Sequence, residues 1–175
     1  MKLKSYILSL LLILSVSSVV LAKGVGTTMF QILQLPASAY DGALAYTTVG
    51  GEYSAIQNPS IIPFLQRSVI LTHAVYLEDT RYSVGDVNLM LNDNSGINFA
   101  FYYFDYGKID RYIESGIGYE KSGSFNPSEK VLNISYGRRM NRNLYAGASL
   151  KYIGQTIDDV SYSGYAIGFS GMYFI

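Results

Sequence analysis

Between Val131 and Tyr173, apolar residues alternate with small or polar ones at period two through three consecutive runs. That is the spacing at which successive side chains point to opposite faces of a β-strand. In VLNISYGRRM, Leu132, Ile134 and Tyr136 share one face while Asn133, Ser135 and Gly137 share the other. In the next run Leu144, Ala146, Ala148, Leu150 and Tyr152 oppose Tyr145, Gly147, Ser149, Lys151 and Gln155. A chain of this pattern folds as antiparallel sheet with one greasy face and one small, polar face. Either a protein core or lipid must cover the greasy one.

Composition narrows the function classes. The 175 residues include 17 Tyr, 17 Gly and 8 Phe but no Cys, and 13 basic residues balance 13 acidic ones. No basic stripe extends beyond Arg138, Arg139 and Arg142, so the chain has no electrostatic footprint for nucleic acid. The absence of Cys excludes disulfides, thiol catalysis, Cys-ligated zinc and lipidation of a cysteine. No metal-ligand or cofactor motif is present, so none of either is expected.

Residues 1–22 read as a signal peptide. Lys2 and Lys4 give a charged start, Tyr6 to Leu21 is an uncharged apolar run, and Val20-Leu21-Ala22 supplies small residues for cleavage after Ala22. The chain is therefore expected to be exported. Residues 23–66 form a different segment. Pro36 is followed by small residues and short apolar ones at helical spacing, with Ser38 as N-cap and Gly50-Gly51 as stop, which predicts a helix from about Ala37 to Val49. A second turn is expected over Tyr53 to Gln57, ending at Asn58-Pro59 because the residue before Pro is pushed out of the α region.

Residues 67–175 read as strands, seven in all: roughly 68–78, 82–91, 96–105, 109–119, 130–140, 143–157 and 161–174. Val69, Leu71, Val75 and Leu77 share a face that His73 interrupts; no GxSxG or HExxH spacing surrounds this histidine, which reads as a rim residue and not a catalytic one. Val87, Leu89 and Leu91 oppose Asp86, Asn88 and Met90, and the Asn92 to Gly96 stretch is a turn by composition. Ile97, Phe99, Phe101 and Tyr103 line one face, with Tyr102, Phe104 and Tyr106 adding rings that suggest an aromatic girdle at a membrane interface. Glu120 to Glu129 reads as a long loop. Several of these strands reach the roughly 9–11 residues that cross a bilayer at a tilt.

FQILQLPASAY, then DGALAYTTVGGEYSAIQ, the Asn58-Pro59-Ser60 turn, SYGRRM and LYAGASLKYIGQ, all behind a signal peptide, resemble the FadL-type outer-membrane β-barrel superfamily, its PorV/PorQ-like branch above all. Two departures are Ser60, where the family has Ala after Asn-Pro, and GYAIGFSGMYF, which lacks the acidic residue often seen there. The resemblance implies an all-β, antiparallel outer-membrane barrel of 14 strands with a short N-terminal helical plug. Seven strands are half of that, so the chain is expected to be either the N-terminal portion of a longer barrel or a naturally short copy. The implied activity is passive uptake of hydrophobic small molecules such as long-chain fatty acids. The alternative, suggested by the PorV-like branch, is a scaffold for secreted proteins in which loops such as Glu120 to Glu129 and Thr156 to Ser161 make the contacts. Neither is an enzyme, and Asp158-Asp159 beside Thr156 reads as a turn. Expected partners are outer-membrane lipid with hydrophobic small molecules or secreted proteins. Candidate plug and ligand residues are Leu35, Leu44, Ile56, Asn58, Pro59 and Ile61, and candidate lumen-facing residues are Lys151, Arg139 and Tyr145. Lys151 would meet either a ligand carboxylate or an acidic residue on a neighbouring strand.

Overall fold

The computed structural model describes residues 31–36, 38–43, 55–76, 79–116 and 118–175. The expected signal peptide, Leu44, Leu77 and most of the expected Ala37 to Val49 helix lie outside them. Eight strands are present among the described residues: β1 (Ser68–Val75), β2 (Arg81–Asn92), β3 (Ser95–Asp105), β4 (Ile109–Ser115), β5 (Gly118–Phe125), β6 (Ser128–Arg139), β7 (Leu144–Ile157) and β8 (Val160–Tyr173). Six of them form one antiparallel sheet in the order β1-β2-β3-β6-β7-β8, and β4-β5 is a separate hairpin inserted between β3 and β6. The sheet is open, with β1 and β8 at its edges.

The count of seven strands is thus corrected to eight. The expected strand 109–119 is interrupted at Gly116, whose φ of 36° turns the chain. The expected Glu120 to Glu129 loop is mostly β5 and the start of β6. Period-two alternation runs on across a tight turn, so pattern alone does not locate the reversal. Gly123, at φ 135°, takes up the bulge where the hairpin register slips between Arg111 and Tyr112.

Each strand of the six-stranded sheet obeys the expected phase. On the outer face Val69, Val87, Phe99, Ile134, Leu150 and Ile167 stand side by side, one from each strand in register. Large apolar groups on this face are bare: Leu71 is 82 % exposed and Phe169 84 %. The inner face carries Asp86, Asn88, Asn98, Asn133, Ser135 and Ser149, all buried. Tyr102 and Phe104 also point inward and Tyr106 bonds the buried Glu129, so these three rings do not join Tyr103 on the outer face.

The described part of the segment 31–65 meets the inner face through residues 31–35 and 55–65. It contains a 3-10 turn (Gln31–Gln34), α1 (Ala39–Ala43) and a second 3-10 turn (Pro59–Phe64). Asn58 is kept out of the α region (φ −130°, ψ 82°) as the residue before Pro must be, yet Pro59 begins a helical turn, since its missing N–H is unneeded there. That turn is not expected from sequence. It sits on a row of glycines, Gly96, Gly137 and Gly147, which are register neighbours on β3, β6 and β7. A Cβ on Gly147 would lie 2.6 Å from Pro59 Cβ, and one on Gly137 would be 2.8 Å from Ile62.

Gly147→Val should therefore lower the denaturation midpoint, by roughly 1–3 kcal/mol or more of lost stability, while Gly164→Ala, with open space around it, should leave the midpoint in place. Equal midpoints in a denaturant titration would show that the glycine row is not a seat.

Candidate functional site

The inner face is built in horizontal rows, because neighbours in register on six strands lie at one height. Next to the glycine row comes a polar row: Ser68, Asn88, Asn98, Ser135 and Ser149. Beyond it Asp86, Asn133 and Lys151 lie at a common height, followed by an apolar row of Val84, Tyr102, Val131 and Ile153. Burying polar groups is tolerated here because they bond one another. Asn98 Nδ2 donates to Asp86 Oδ1 at 2.7 Å and to Asn88 Oδ1 at 2.9 Å, and Asn133 Nδ2 donates to Ser135 Oγ at 2.8 Å.

The inward segment is tied down at two points. Near one end of the sheet Glu129, 1 % exposed, accepts three hydrogen bonds: from the Ile32 amide at 3.0 Å, the Tyr106 hydroxyl at 2.9 Å and Gln155 Nε2 at 2.7 Å. Near the other, the Ser60 amide donates to Ser170 Oγ on β8 at 2.9 Å. Between these ties Ile32 and Ile56 pack into the apolar row with Tyr82, Val84 and Val131. Burial and the neighbouring Glu129 carboxylate push the Tyr106 hydroxyl well above its usual titration range.

Of the expected plug residues, Leu35 packs against this core, while Ile56, Asn58, Pro59 and Ile61 are buried. Leu35 and Ile56 line a cleft with Leu33, Gln57, Tyr102 and Lys151. Lys151 is on the inner face as expected, but its register neighbours are Asn133 and Ala166, so no acid on an adjacent strand faces it, and no described residue forms an ion pair with it. The cleft holds about 20 Å³, and an adjoining one lined by Leu35, Phe104 and Tyr106 about 60 Å³; a bound organic ligand takes roughly 300 Å³ or more.

The other two lumen candidates separate from this group. Tyr145 is buried, against Phe64 of the second 3-10 turn with ring centroids 4.3 Å apart. Arg139 is exposed at the end of β6, its guanidinium 5.7 Å from the Tyr145 ring and its Nε donating to the Asn141 carbonyl; it does not line the interior. Sequence reasoning missed Glu129 by assigning it to a loop. Its signal was the phase of Val131, Asn133 and Ser135, which two residues of extension toward the N-terminus would have carried to Glu129. Among the described residues no cluster of His, Cys, Asp or Glu is suited to a metal ion.

No family model matches this chain, and neither a curated protein nor a solved structure does.

Glu129→Ala would leave the Ile32 amide, the Tyr106 hydroxyl and the Gln155 amide without their acceptor, at a cost of roughly 2–4 kcal/mol. Proteolysis should then cleave the 31–36 stretch faster than in the parent, and unchanged cleavage would show that this tie does not hold the segment. The Tyr106 contribution has a definite sign: a hydroxyl with a raised folded-state pKa adds stability that is complete below pH 10 and declines above it as the unfolded chain ionises first. Tyr106→Phe should flatten that alkaline decline in unfolding experiments.

Proposed function

We propose that this chain forms the lipid-embedded wall of an outer-membrane β-barrel of FadL type, PorV/PorQ-like in character, with residues 31–65 as an inward plug. The observation that carries this reading is the distribution of polarity on the outer face. Along β6 the outward residues run Lys130, Leu132, Ile134, Tyr136, Arg138. Between the heights of Lys130 and Arg138 the outer face has three rows, and none of their side chains is charged. Eight residues of strand are about 27 Å long, or roughly 20 Å of depth at the tilt of barrel strands, close to the apolar band of outer-membrane barrels.

A water-soluble sheet would hide this face and expose the other. Here Asn98 and Asn133 are buried while Phe169 and Ile167 are bare, an arrangement that a nonaqueous medium over the outside would stabilise. Among the described residues no helix is long and apolar enough to cross a membrane; in the proposed barrel the strands would be the crossing elements. Six alternating strands leave β1 antiparallel to β8, which is what closure into an even-numbered barrel by further strands requires.

The activity proposed for such a barrel is passive uptake of hydrophobic small molecules, with Lys151 receiving the acid group of a fatty acid in the cleft beside Leu35 and Ile56. Because the clefts hold only about 20 and 60 Å³, entry requires the 31–65 segment to shift from its seat. The β4-β5 hairpin favours a second reading, a surface scaffold for exported proteins: Tyr112, Ile113 and Tyr119 stand 59 %, 50 % and 77 % exposed on it, at the end where Arg111 pairs with Asp158 of the β7-β8 turn.

The sequence has no Trp, so single tryptophans report without background. Ile134→Trp, Leu150→Trp and Ile167→Trp should be quenched by brominated acyl chains in reconstituted bilayers, and Ser149→Trp should not; uniform quenching, or none, would remove the membrane assignment. If the barrel admits fatty acids, Lys151→Gln should slow their entry into liposomes severalfold with hairpin deletion having no effect. A scaffold predicts the reverse pattern, with partner capture lost on deleting 109–125.

A further inference from the structure

The outer face also has a groove at the level where its apolar band gives way to polar residues, on the hairpin side of the sheet. It lies across β6, β7 and β8 and holds about 140 Å³, lined by Lys130, Tyr152, Gly154, Thr156, Ser161 and Ser163. A single water needs roughly 10–15 Å³ of such space, so the groove has room for a larger group. Register explains the shape. Lys130, Gly154 and Ser163 are neighbours at one height, and Ser128, Thr156 and Ser161 at the next. Gly154 forms the floor: a Cβ there would lie 3.1 Å from Lys130 Cε, so the glycine leaves space for the lysine stem to lie across the sheet.

The chemistry of this groove is that of an anion site open to one side. Lys130 supplies an ammonium with three donors, and Thr156, Ser161 and Ser163 supply hydroxyls, two of which already bond each other at 3.1 Å. Of the two carboxylates of the adjoining turn, Asp158 is paired with Arg111, and Asp159 lies 3.8 Å from the same guanidinium. Immediately toward the band centre come Leu132, Tyr152 and Tyr165, the two rings 5.4 Å apart between centroids, and then Ile134, Leu150 and Ile167. A ligand seated here would have a charged head among Lys130 and the hydroxyls, and an apolar tail running down the bare face.

The geometry points to a binding site for the phosphate headgroup of an anionic membrane lipid, whose acyl chains lie over Leu132 and Tyr152. The assignment rests on the outer face being in lipid. A free phosphate would use Lys130 and the hydroxyls but has no use for the apolar rows below them. Lysines at the edge of an apolar band reach headgroup depth by extending along the surface, and each contributes appreciably to anionic-lipid attraction.

The full chain in nanodiscs of phosphatidylcholine doped with phosphatidylglycerol tests this, with native mass spectrometry counting the lipid that stays bound. The parent should retain phosphatidylglycerol preferentially. Lys130→Gln should reduce that preference about fivefold, Lys130→Arg should keep it, and Gly154→Val, which fills the floor, should match the loss. Arg138→Gln, at the opposite boundary and away from the groove, should reduce the preference less than Lys130→Gln does, and circular dichroism identifies any variant that has not folded. Unaltered retention in Lys130→Gln would overturn the site while leaving the membrane reading intact. Lys130-dependent binding of inorganic phosphate by protein in detergent would assign the groove to a free anion and overturn the lipid. Failure of the parent to enter nanodiscs would overturn both readings.

Discussion

A sheet whose polar face is enclosed and whose apolar face is bare reverses the arrangement that water imposes. The rest of this structure depends on that reversal. Period-two alternation on six strands in register turns single side chains into rows, and rows into bands: glycine, amide and hydroxyl, then apolar on the inner face; charged edge, apolar middle, charged edge on the outer one. A one-residue slip in any pairing would exchange the faces of that strand. Register is therefore enforced from both sides at once, by the amide network inside and by the apolar surroundings proposed outside.

The inward segment follows from the same rows. The backbone of a helical turn can approach the backbone of a sheet this closely only where side chains are absent, and Gly96, Gly137 and Gly147 leave such a strip across three neighbouring strands. Its partner at the opposite end is a single buried carboxylate. Glu129 is stable there because backbone amide, phenol and side-chain amide donors all converge on it, which spreads the cost of removing its charge from water over three charge-assisted bonds. The segment is thus held by shape at one end and by charge at the other. The clefts between the ties are correspondingly narrow.

Much of the wall was legible in the chain. The faces of β1, β2, β3, β6, β7 and β8 follow directly from alternation, and the inward position of Lys151 follows from the phase of Ser149. Legibility failed where the pattern had no marker for distance along the chain. The Gly116 reversal hides inside one continuous alternating run, so two strands read as one and the next as a loop. Glu129 was lost with that loop. Arg139 has the phase of an inward residue but stands past the enclosed rows, where strand end and solvent decide its position. The Pro59 turn reads as a stop in the sequence, although proline both excludes helix before it and starts helix after it.

The sequence by itself determined which side chains share a face, because that depends only on the geometry of one extended strand. It also marked residues 23–66 as different in kind from the alternating strands after them, through proline and small residues. Only the tertiary structure decided which strands are neighbours, that β4 and β5 leave the sheet as a hairpin, and that Gly96, Gly137 and Gly147 meet in one row beneath Pro59 and Ile62. Those facts depend on register between strands far apart in the chain. Inter-strand pairing and the closeness of two backbones have no signature in the local spacing of residues, and it is they that bring Glu129 to the Ile32 amide and lay Lys130 beside Gly154.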